Sequence, residues 1–407
     1  MLLESMNVRG YELAHRSAHA PSVHANPRDR ATMVACLRVP TLLRLAAHAT
    51  LAAAADLRPP AKPFPGVDAF HAGEGGYACF RLPALLQLPT PDNQSLALYA
   101  EGRLKSCSDY APIDLVYKIS RDNGLTWSNV SILCTDGCTT HNGTHDAAYA
   151  NSTNQPTPIA VPAQGSSPGY VVMLCQRAGH LWTSRSLNPL GTAWEPLNDT
   201  KLKLVPGPTP GVILPDGRMV AAAYGQALIS DDSGRSWRGS ATFGANGSIP
   251  HGGEGEVAIA PNGSLLINYR GSHPYKRVLA YSQDRGESWG TEFMPMPELG
   301  GSVEGSMISD IDQNLMLTAS PFGIGPDWGH RCAGPGRCNM TVWASHDSGA
   351  VWQQVYQLNE SIGIDSREAA AYSSMVQVNS SHVVLVYERD NAAHLSLVYI
   401  PLSVAGV

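Results

Sequence analysis

The sequence predicts an all-β protein with the architecture of a six-bladed β-propeller. Three observations support this: an octet that recurs four times, the spacing of its copies, and a composition rich in turn residues. Glycine (39) and proline (30) are abundant, and charged residues make up 15% of the 407 residues. Such a composition suits many short strands joined by turns better than it suits long helices.

The recurring octet has the form S-x-D-x-G-x-x-W, an Asp box. Aspartate in such a stretch folds its carboxylate onto backbone N–H groups, glycine supplies a positive φ, and tryptophan anchors the returning strand. We therefore interpret the octets as structural hairpin turns and not as catalytic aspartates. The four copies are SRDNGLTW (Ser120–Trp127), SDDSGRSW (Ser230–Trp237), SQDRGESW (Ser282–Trp289) and SHDSGAVW (Ser345–Trp352).

The spacing of the octets defines a repeat. Their aspartates, Asp122, Asp232, Asp284 and Asp347, are separated by 110, 52 and 63 residues. The long first gap contains a degraded fifth copy, SRSLNPLGTAW, which ends at Trp194. A period of roughly 50–60 residues with strands and one turn in each unit is typical of a propeller blade. The chain after residue 62 has room for about six such units, and no helical period of comparable strength competes.

The chain divides into two regions by composition. Residues 63–407 carry the propeller pattern, whereas residues 1–62 are rich in alanine, arginine and histidine and end in RPPAKPFP at residues 58–65. The N-terminal region is predicted to be a leader, similar to a signal peptide, or a disordered segment. Translation from Met33 would give a compact signal peptide with a short basic start. A transit peptide poor in acidic residues is the alternative.

Ten N-x-[ST] sequons indicate a glycosylated surface and hence a secreted protein or one in the lumen of the secretory pathway. Each sequon alone is a weak motif, but ten among the asparagines of one chain form a pattern. They begin at Asn93, Asn129, Asn142, Asn151, Asn198, Asn246, Asn262, Asn339, Asn359 and Asn379.

The cysteines agree with an oxidising compartment. Cys134 with Cys138, and Cys332 with Cys338, are close pairs in loop-like sequence and are candidate disulfides. Zinc is the alternative for these pairs, but the histidine spacing of a zinc site is missing. Cys79, Cys107 and Cys175 lie in strand-like sequence and are candidate buried thiols; alternatively, Cys79 bridges to Cys107.

Several function classes are disfavoured. The net charge of −6 gives no basic footprint for nucleic acid. No run of 18 apolar residues predicts a membrane-spanning helix. The histidines are scattered, so neither a metal site nor a cofactor is predicted. The sequence leaves the oligomeric state open.

One apolar stretch contains an unexpected cation. The segment YACFRLPALLQLP, residues 77–89, has the character of a buried strand, yet it includes Arg81. Arginine is rarely buried unless it is paired. A functional partner for this guanidinium is therefore expected.

A strand with FRLP followed by Asp-box turns resembles the exo-α-sialidase (neuraminidase) family. The resemblance covers roughly Asp68 to Tyr399. It implies a six-bladed propeller with Asp-box (BNR) repeats that removes terminal sialic acid from sialylated glycans with retention of configuration. It also implies a tyrosine nucleophile in place of the usual carboxylate.

The resemblance implies that three arginines bind the carboxylate of sialic acid, because a guanidinium matches a carboxylate through two parallel hydrogen bonds. The first is Arg81, and the second is Arg270 in LLINYRGS. The third is Arg337 in RCNMT, with Arg331 as the alternative. Glu388, in VVLVYERD, matches the glutamate that orients the first arginine.

The resemblance also implies the catalytic residues. Tyr372, in AAAYSSMVQV, matches the nucleophile. Glu254, in HGGEGEVAIAPNGS, matches its base, with Glu256 as a rival two residues later on the same face of a strand. The stretch is glycine-rich where the family often has Asn-Glu.

The acid/base is expected in the loop of AEGRLKSCSDYAPIDLVYKIS. Asp109 matches it, and Asp114 is the alternative. Such a group works best when partial burial raises its pKa. Arg103 and Glu101 resemble the E-x-R before this loop, and we expect Arg103 to line the sugar pocket.

Two other functions fit the same pattern. A trans-sialidase would need an aromatic acceptor platform, for which Trp182 and Trp328 are candidates. A non-enzymatic sialoglycan-binding propeller would be expected to lack Tyr372, Glu254 or Asp109, and all three are present.

Overall fold

A computed structural model describes residues 65–133, 152–243, 253–271, 277–294, 303–322, 337–358 and 369–406. Over these ranges the regular secondary structure is β-strand, apart from two 3-10 turns at Glu74–Gly76 and Leu402–Ala405. The strands form six four-stranded antiparallel sheets, the blades of a six-bladed propeller. The predicted fold class is confirmed. The N-terminal region of residues 1–62 lies outside the described residues.

Blades 1 to 5 each take four consecutive strands, from β2–β5 to β18–β21, and blade 6 combines β22–β24 with β1. The strands are β1 (Val67–His71), β2 (Cys79–Gln87), β3 (Leu96–Arg103), β4 (Ile113–Ser120), β5 (Ser131–Ile132), β6 (Thr153–Val161), β7 (Tyr170–Arg177), β8 (His180–Arg185), β9 (Asn198–Asp199), β10 (Val212–Ile213), β11 (Met219–Ala223), β12 (Gln226–Ser230), β13 (Arg238–Gly239), β14 (Gly255–Ile259), β15 (Leu265–Tyr269), β16 (Val278–Ser282), β17 (Gly290–Phe293), β18 (Ser306–Asp310), β19 (Leu315–Pro321), β20 (Met340–Ser345), β21 (Gln353–Gln357), β22 (Ala370–Asn379), β23 (His382–Arg389) and β24 (His394–Pro401).

The ring is closed by the two ends of the described chain. Strand β1 pairs antiparallel with β24 and completes blade 6, with Val67 opposite Leu397 and His71 opposite His394. This pairing joins the start of the propeller to its end. Closure removes the open edge that a linear row of sheets would leave.

Over the described residues, most of the core lies in six hydrophobic clusters, one between each pair of adjacent blades. Strand β15 shows why the strands have continuous apolar runs. Leu265 and Ile267 pack against blade 3, whereas Leu266, between them, packs against blade 5. Because successive side chains in a strand point to opposite faces, a sheet covered on both faces needs apolar residues at every position.

The octets form the predicted turns between the third and fourth strands of their blades. In each octet, the aspartate accepts a hydrogen bond from the backbone N–H four residues later at 2.8–3.0 Å. The tryptophan ring donates to the glycine carbonyl, and that glycine has φ between +82° and +93°. The degraded copy in blade 2 folds in the same way, with Asn188 in place of aspartate and Trp194 donating to Gly191.

The octet turns leave the opposite face of the propeller free for a site. In every blade the strands alternate in direction. The starts of first and third strands and the ends of second strands therefore share the face away from the octets. All the predicted site residues that the structure describes lie at or next to such strand ends.

Two cysteine predictions are resolved. Cys79 and Cys107 form a disulfide, and Cys175 is a free buried thiol. Cys338 is also disulfide-bonded. Cys134, Cys138 and Cys332 fall outside the described residues.

Six of the ten sequons lie in the part of the chain that the structure describes. Among the sequons that the structure describes, the asparagine is half-buried at position 339 and exposed at the other five: Asn93, Asn129, Asn198, Asn262 and Asn379. Glycosylation stays a prediction.

Over the described ranges, no helix has the length and apolar character needed to cross a membrane.

Candidate active site

The site lies at the start of the innermost strands, where three of them are irregular. Strand β2 has a register shift between Arg81 and Ala84, and Leu82 within it has φ of +54°. Similar shifts occur in β6 next to Gln155, which has φ of +61°, and in β22 around Tyr372. Bulges of this kind re-aim side chains and are common beside active sites.

Arg81 has the partner that its buried position requires. Its Nε and Nη2 donate to the two carboxylate oxygens of Glu388 at 3.0 Å each. The backbone N–H of Leu82 donates to the same carboxylate at 2.9 Å, so Glu388 also holds the bulge. Burial lowers the pKa of Arg81, but the charge and hydrogen bonds of Glu388, together with the charges of Tyr372 and Glu101, outweigh burial and raise the pKa above its ordinary value.

Tyr372 is placed against a carboxylate. Its hydroxyl donates to Glu254, with both carboxylate oxygens at 2.8 Å. Arg270 donates through Nη1 to Glu254 at 2.7 Å and to the Tyr372 oxygen at 3.1 Å. Only 5% of Tyr372 is exposed. Burial and the Glu254 charge raise the pKa of Tyr372 well above its ordinary value, although Arg270 and Arg81 oppose the rise.

Local pairing brings Glu254 and Arg270 together. Glu254 precedes β14 and Arg270 follows β15, and the Arg270 N–H donates to the Glu254 carbonyl at 2.8 Å. Glu256 is buried further inside and accepts a hydrogen bond from the N–H of Met307 at 2.9 Å. The geometry therefore favours Glu254 over Glu256 as the partner of Tyr372.

Arg337 lies near Tyr372, Arg81 and Glu388. Its carbonyl accepts a hydrogen bond from the N–H of Ala370 at 2.9 Å, which ties it to the start of β22. A pocket of about 120 Å³ is lined by Arg337, Arg81 and Glu388. Burial lowers the pKa of Arg337, and the cations of Arg81 and Arg270 act in the same direction. The charged residues that line this pocket are two arginines and one glutamate, and this excess of positive charge suits an anion. Arg331 falls outside the described residues.

Asp109 lies at the rim of this pocket. Its Oδ1 is 2.7 Å from Nη1 of Arg103 and 3.5 Å from Nη1 of Arg81. Arg103 is itself buried and paired with Glu101 through two hydrogen bonds of 2.6 and 3.1 Å. The alternative, Asp114, is buried on β4 and accepts a hydrogen bond from the Tyr77 hydroxyl at 2.8 Å. The geometry favours Asp109 as the exposed carboxyl of the site.

The expectation that Asp109 would be partly buried, with a raised pKa, was wrong. The sequence argument expected partial burial to raise its pKa, but 74% of the side chain is exposed. Burial does act to raise the pKa, yet the Arg103 hydrogen bond and the charges of Arg103, Arg81 and Arg337 outweigh it and lower the pKa. Asp109 is therefore an ionised carboxylate in the unliganded protein.

Sequence reasoning missed Tyr224. This residue lies at the tip of the β11–β12 hairpin, in AAAYGQA, and 41% of it is exposed. Burial and the carboxylate of Glu254, with which its hydroxyl interacts, raise its pKa, while Arg270 lowers it. Its location on a connection between second and third strands, as for Asp109, was the only available signal.

Sequence reasoning also missed a pair of buried titratable residues, Arg277 and Glu304, which interact electrostatically beneath the site. Arg277 and Glu304 have exposed fractions of only 2% and 1%. The guanidinium donates to Asn268 and to the Val303 carbonyl, the latter at 3.0 Å. Glu304 accepts a hydrogen bond from the N–H of Ser373, the residue after Tyr372, at 3.3 Å. Burial raises the pKa of Glu304 and lowers that of Arg277 to about 10.

Replacement of Arg277 by alanine is expected to lower the free energy of unfolding by about 3–5 kcal/mol, because it leaves the buried Asn268 and the Val303 carbonyl without their donor and removes the cation that favours ionisation of Glu304. Urea denaturation followed by tryptophan fluorescence measures this loss. Arg235→Ala, at an exposed arginine in an octet turn, is the control and should change the stability by less than about 0.5 kcal/mol. Equal small losses in both variants would contradict a structural role for the pair.

The described part of the chain contains no group of three histidine, cysteine or acidic side chains that could hold a metal ion. What it does assemble is a phenol hydrogen-bonded to a carboxylate, a ring of guanidinium groups, and a second carboxylate at the rim. The phenol and carboxylate can form a nucleophile, the guanidinium groups can bind an anion, and the rim carboxylate can transfer a proton.

Comparison with known proteins finds similarity to sialidases and to a BNR repeat-like domain. The model of the BNR repeat-like domain matches residues 191–385. A sialidase of Bacteroides fragilis is 24% identical over 372 residues, which cover 81% of this chain and 63% of the relative. An exo-alpha-sialidase of Arthroderma benhamiae is 25% identical over 240 residues, which cover 51% of this chain and 54% of the relative. The chain thus spans between half and two thirds of the length of these curated relatives.

The fold is also that of solved sialidases. A Hadza microbial sialidase superposes with a TM-score of 0.65 at 20% identity, over 83% of this chain and 68% of that one. The octet turns, the six blades, the BNR match and the sialidase relatives agree with one another. The chain is thus similar in sequence to sialidases and shares with them a six-bladed propeller that carries a BNR repeat-like match.

Proposed function

We propose that this protein is an exo-α-sialidase that hydrolyses terminal sialic acid from glycans with retention of configuration. The observation that carries the proposal is the Tyr372 hydroxyl, hydrogen-bonded to Glu254 at 2.8 Å and flanked by Arg270 at 3.1 Å. A buried phenol paired with a base and placed beside an anion-binding pocket has the requirements of a nucleophile.

The arginines account for the choice of substrate. Sialic acid has a carboxylate on its anomeric carbon, and this group is ionised at physiological pH. Arg81 and Arg337 line one pocket, and Arg270 lies 3.1 Å from the hydroxyl of Tyr372. Arg81 is held rigidly by Glu388, so little side-chain entropy is lost when it binds the substrate.

The carboxylate of the substrate also explains a tyrosine nucleophile. A carboxylate nucleophile about 4 Å from the substrate carboxylate would meet a repulsion of roughly 4 kcal/mol at an effective dielectric constant near 20. A neutral phenol avoids this repulsion. Because burial raises the pKa of Tyr372, the phenol is protonated at neutral pH, and Glu254 must accept its proton during attack.

The proposed reaction has two steps. In the first, the Tyr372 oxygen bonds to the anomeric carbon, its proton passes to Glu254, and the leaving oxygen takes a proton from Asp109. In the second, Asp109 removes a proton from water, whose oxygen displaces Tyr372, and Glu254 returns the proton to the phenolate. Two inversions at the same carbon give net retention.

Binding of the substrate carboxylate would also adapt Asp109 to its task. In the unliganded site the cations of Arg103, Arg81 and Arg337 contribute to lowering its pKa. A bound carboxylate would offset the charges of Arg81 and Arg337 and add a negative charge near Asp109. Both effects favour the protonated form, so Asp109 would become a better acid when substrate is present.

The proposal is tested with sialyllactose, an α-linked sialoside, and a fluorogenic aryl α-ketoside of N-acetylneuraminic acid. Proton NMR follows the first anomer released, and the α-anomer of sialic acid is expected before it mutarotates. First release of the β-anomer would overturn retention. Binding of sialyllactose without release would indicate a sialoglycan-binding propeller, and transfer to added lactose in preference to water would indicate a trans-sialidase.

Replacement of Asp109 by asparagine is expected to affect the two substrates differently. Lactose is a poor leaving group that needs a proton, so kcat/KM for sialyllactose should fall by about 10²–10⁴-fold. The aryl ketoside has a good leaving group and should lose less than about tenfold in its first step. Steady-state and burst kinetics on both substrates measure this difference.

Asp114→Asn is the matched control for this prediction, because Asp114 was the alternative acid and is bonded to Tyr77 instead. It should leave the ratio of the two kcat/KM values unchanged. Equal losses on both substrates in Asp109→Asn would contradict the assignment of Asp109 as the acid.

A further inference from the structure

A covalent bond joins the carboxylate-binding strand to the loop of the candidate acid. Cys79, on β2, lies two residues before Arg81, and Cys107 lies two residues before Asp109. The two cysteines form a disulfide across 28 residues of sequence. The bond therefore links the two elements whose functional side chains meet at the pocket rim, where Arg81 and Asp109 are 3.5 Å apart.

The two ends of this disulfide differ in how firmly they are held. Cys79 is 1% exposed and pairs with Arg103 in the β2–β3 ladder. Cys107, in contrast, belongs to an exposed run from Lys105 to Tyr110. The bond fastens a loop with little packing of its own to a fixed strand.

Few other contacts hold the loop that carries Asp109. At its base, the N–H of Leu104 donates to the carbonyl of Pro112 at 3.0 Å. Arg103 donates to the Cys107 carbonyl at 2.6 Å and to Asp109 at 2.7 Å. Because the Asp109 side chain is 74% exposed, apolar packing contributes little to its position.

We propose that the Cys79–Cys107 disulfide positions Asp109 for proton transfer. Resting on the proposed sialidase function, the inference assigns the two cysteines as positioning residues that act through Asp109. The bond keeps the loop backbone at Cys107 beside Arg103, and that contact keeps the carboxylate within reach of Arg103 and Arg81. Proton transfer depends steeply on such placement, and a displacement of about 1 Å can cost on the order of 100-fold in rate.

A disulfide that only stabilised the fold would behave differently. Its loss would lower the melting temperature and the yield of folded protein, and it would reduce activity on every substrate equally. A disulfide that positions the acid should change the dependence on the leaving group. The distinguishing measurement is thus the ratio of activities on sialyllactose and on the aryl ketoside.

The variants are Cys107→Ser and the double variant Cys79→Ala with Cys107→Ala. Variants are preferable to a reducing agent, because Cys338 is also disulfide-bonded. Circular dichroism and thermal melting establish that the variants are folded at the assay temperature. In both, kcat/KM for sialyllactose is expected to fall by about 10- to 100-fold and kcat/KM for the aryl ketoside by less than about threefold, because kcat/KM reports the first step and the aryl group leaves without a proton.

A double-variant cycle with Asp109→Asn tests whether the disulfide acts through the acid. If it does, removing the disulfide in the Asp109→Asn background should lower kcat for sialyllactose by less than about threefold, since coupled residues are not additive. Cys175→Ala, at a free buried thiol outside the site, is the control and should leave the ratio of activities unchanged.

Equal losses on both substrates, an unchanged ratio, or full additivity with Asp109→Asn would each overturn the positioning role. A wild-type protein that releases sialic acid from neither substrate would overturn the proposed function and this inference with it. The two failures are distinguishable, because the first is read from the variants and the second from the wild type alone.

Discussion

Replacement of Tyr372 by phenylalanine is expected to lower kcat on both sialosides by at least about 1,000-fold, the scale of loss when a nucleophile is removed. The phenyl ring retains the packing of Tyr372 with Leu82, Val303 and Ala371. Only the hydroxyl is lost, and with it the oxygen that would bond to the anomeric carbon. The loss should be equal for good and poor leaving groups, unlike the loss in Asp109→Asn.

The same replacement should leave sialic acid binding almost unchanged. The guanidinium of Arg81 lies 5.1 Å from the centre of the Tyr372 ring, and a phenylalanine ring keeps this cation–π contact. Arg270 keeps its hydrogen bond to Glu254 at 2.7 Å. The dissociation constant of sialic acid, measured by NMR titration, is therefore expected to stay within about threefold of the wild-type value.

Tyr399→Phe is the matched control. Tyr399 lies on β24, where its hydroxyl donates to the carbonyl of Asn123 at 2.8 Å, in an octet turn. This replacement also removes a tyrosine hydroxyl that donates a hydrogen bond, but it does so at the opposite face of the propeller. Full activity is expected in this variant. More than a tenth of wild-type activity in Tyr372→Phe would contradict a tyrosine nucleophile.

The fold was predictable because its signal is local and repeated. Each octet contains the serine, aspartate, glycine and tryptophan that its turn needs, and these residues bond to one another in the structure. The degraded copy ending at Trp194 was found by the same logic, because the glycine and tryptophan remained. The spacing of such turns fixes the number of blades, whereas closure by β1 and β24 joins distant segments and left no local pattern.

The site was predictable only where a motif carries it. Arg81, Tyr372 and Glu254 were found from short stretches that resemble a family. The charged pair of Arg277 and Glu304 was not, because a buried charge in a single sequence has the same letters as a surface charge. The expected pKa of Asp109 was wrong for a related reason, since it depends on how the fold places Arg81 and Arg103 of blade 1 and Arg337 of blade 5 around the carboxylate.

Replacement of Arg81 by lysine is expected to lower kcat/KM for sialyllactose by about 100-fold. The guanidinium donates two hydrogen bonds to Glu388, and the pocket it lines needs a second pair for the substrate. A lysine ammonium has the charge but no planar fork, so it cannot serve both carboxylates. Loss of a charged hydrogen bond costs about 1.5–3 kcal/mol, which corresponds to roughly 10- to 150-fold.

The loss in Arg81→Lys should depend on whether the substrate has a free carboxylate. Wild-type protein is expected to prefer the free acid of the aryl ketoside strongly over its methyl ester, because the ester has no charge for the arginines. In Arg81→Lys this preference should shrink by about the factor lost in kcat/KM for the acid, while activity on the ester changes little. The comparison isolates the interaction between one guanidinium and one carboxylate, as a double-mutant cycle does.

Arg121→Lys serves as the control, because Arg121 is an exposed arginine in the first octet turn, at the opposite face. It should leave both kcat/KM values unchanged. An undiminished preference for the acid in Arg81→Lys would show that Arg270 and Arg337 suffice for the carboxylate. The unusual position of Arg81 within an apolar strand would then be due to Glu388 and the β2 bulge, and its role would be structural.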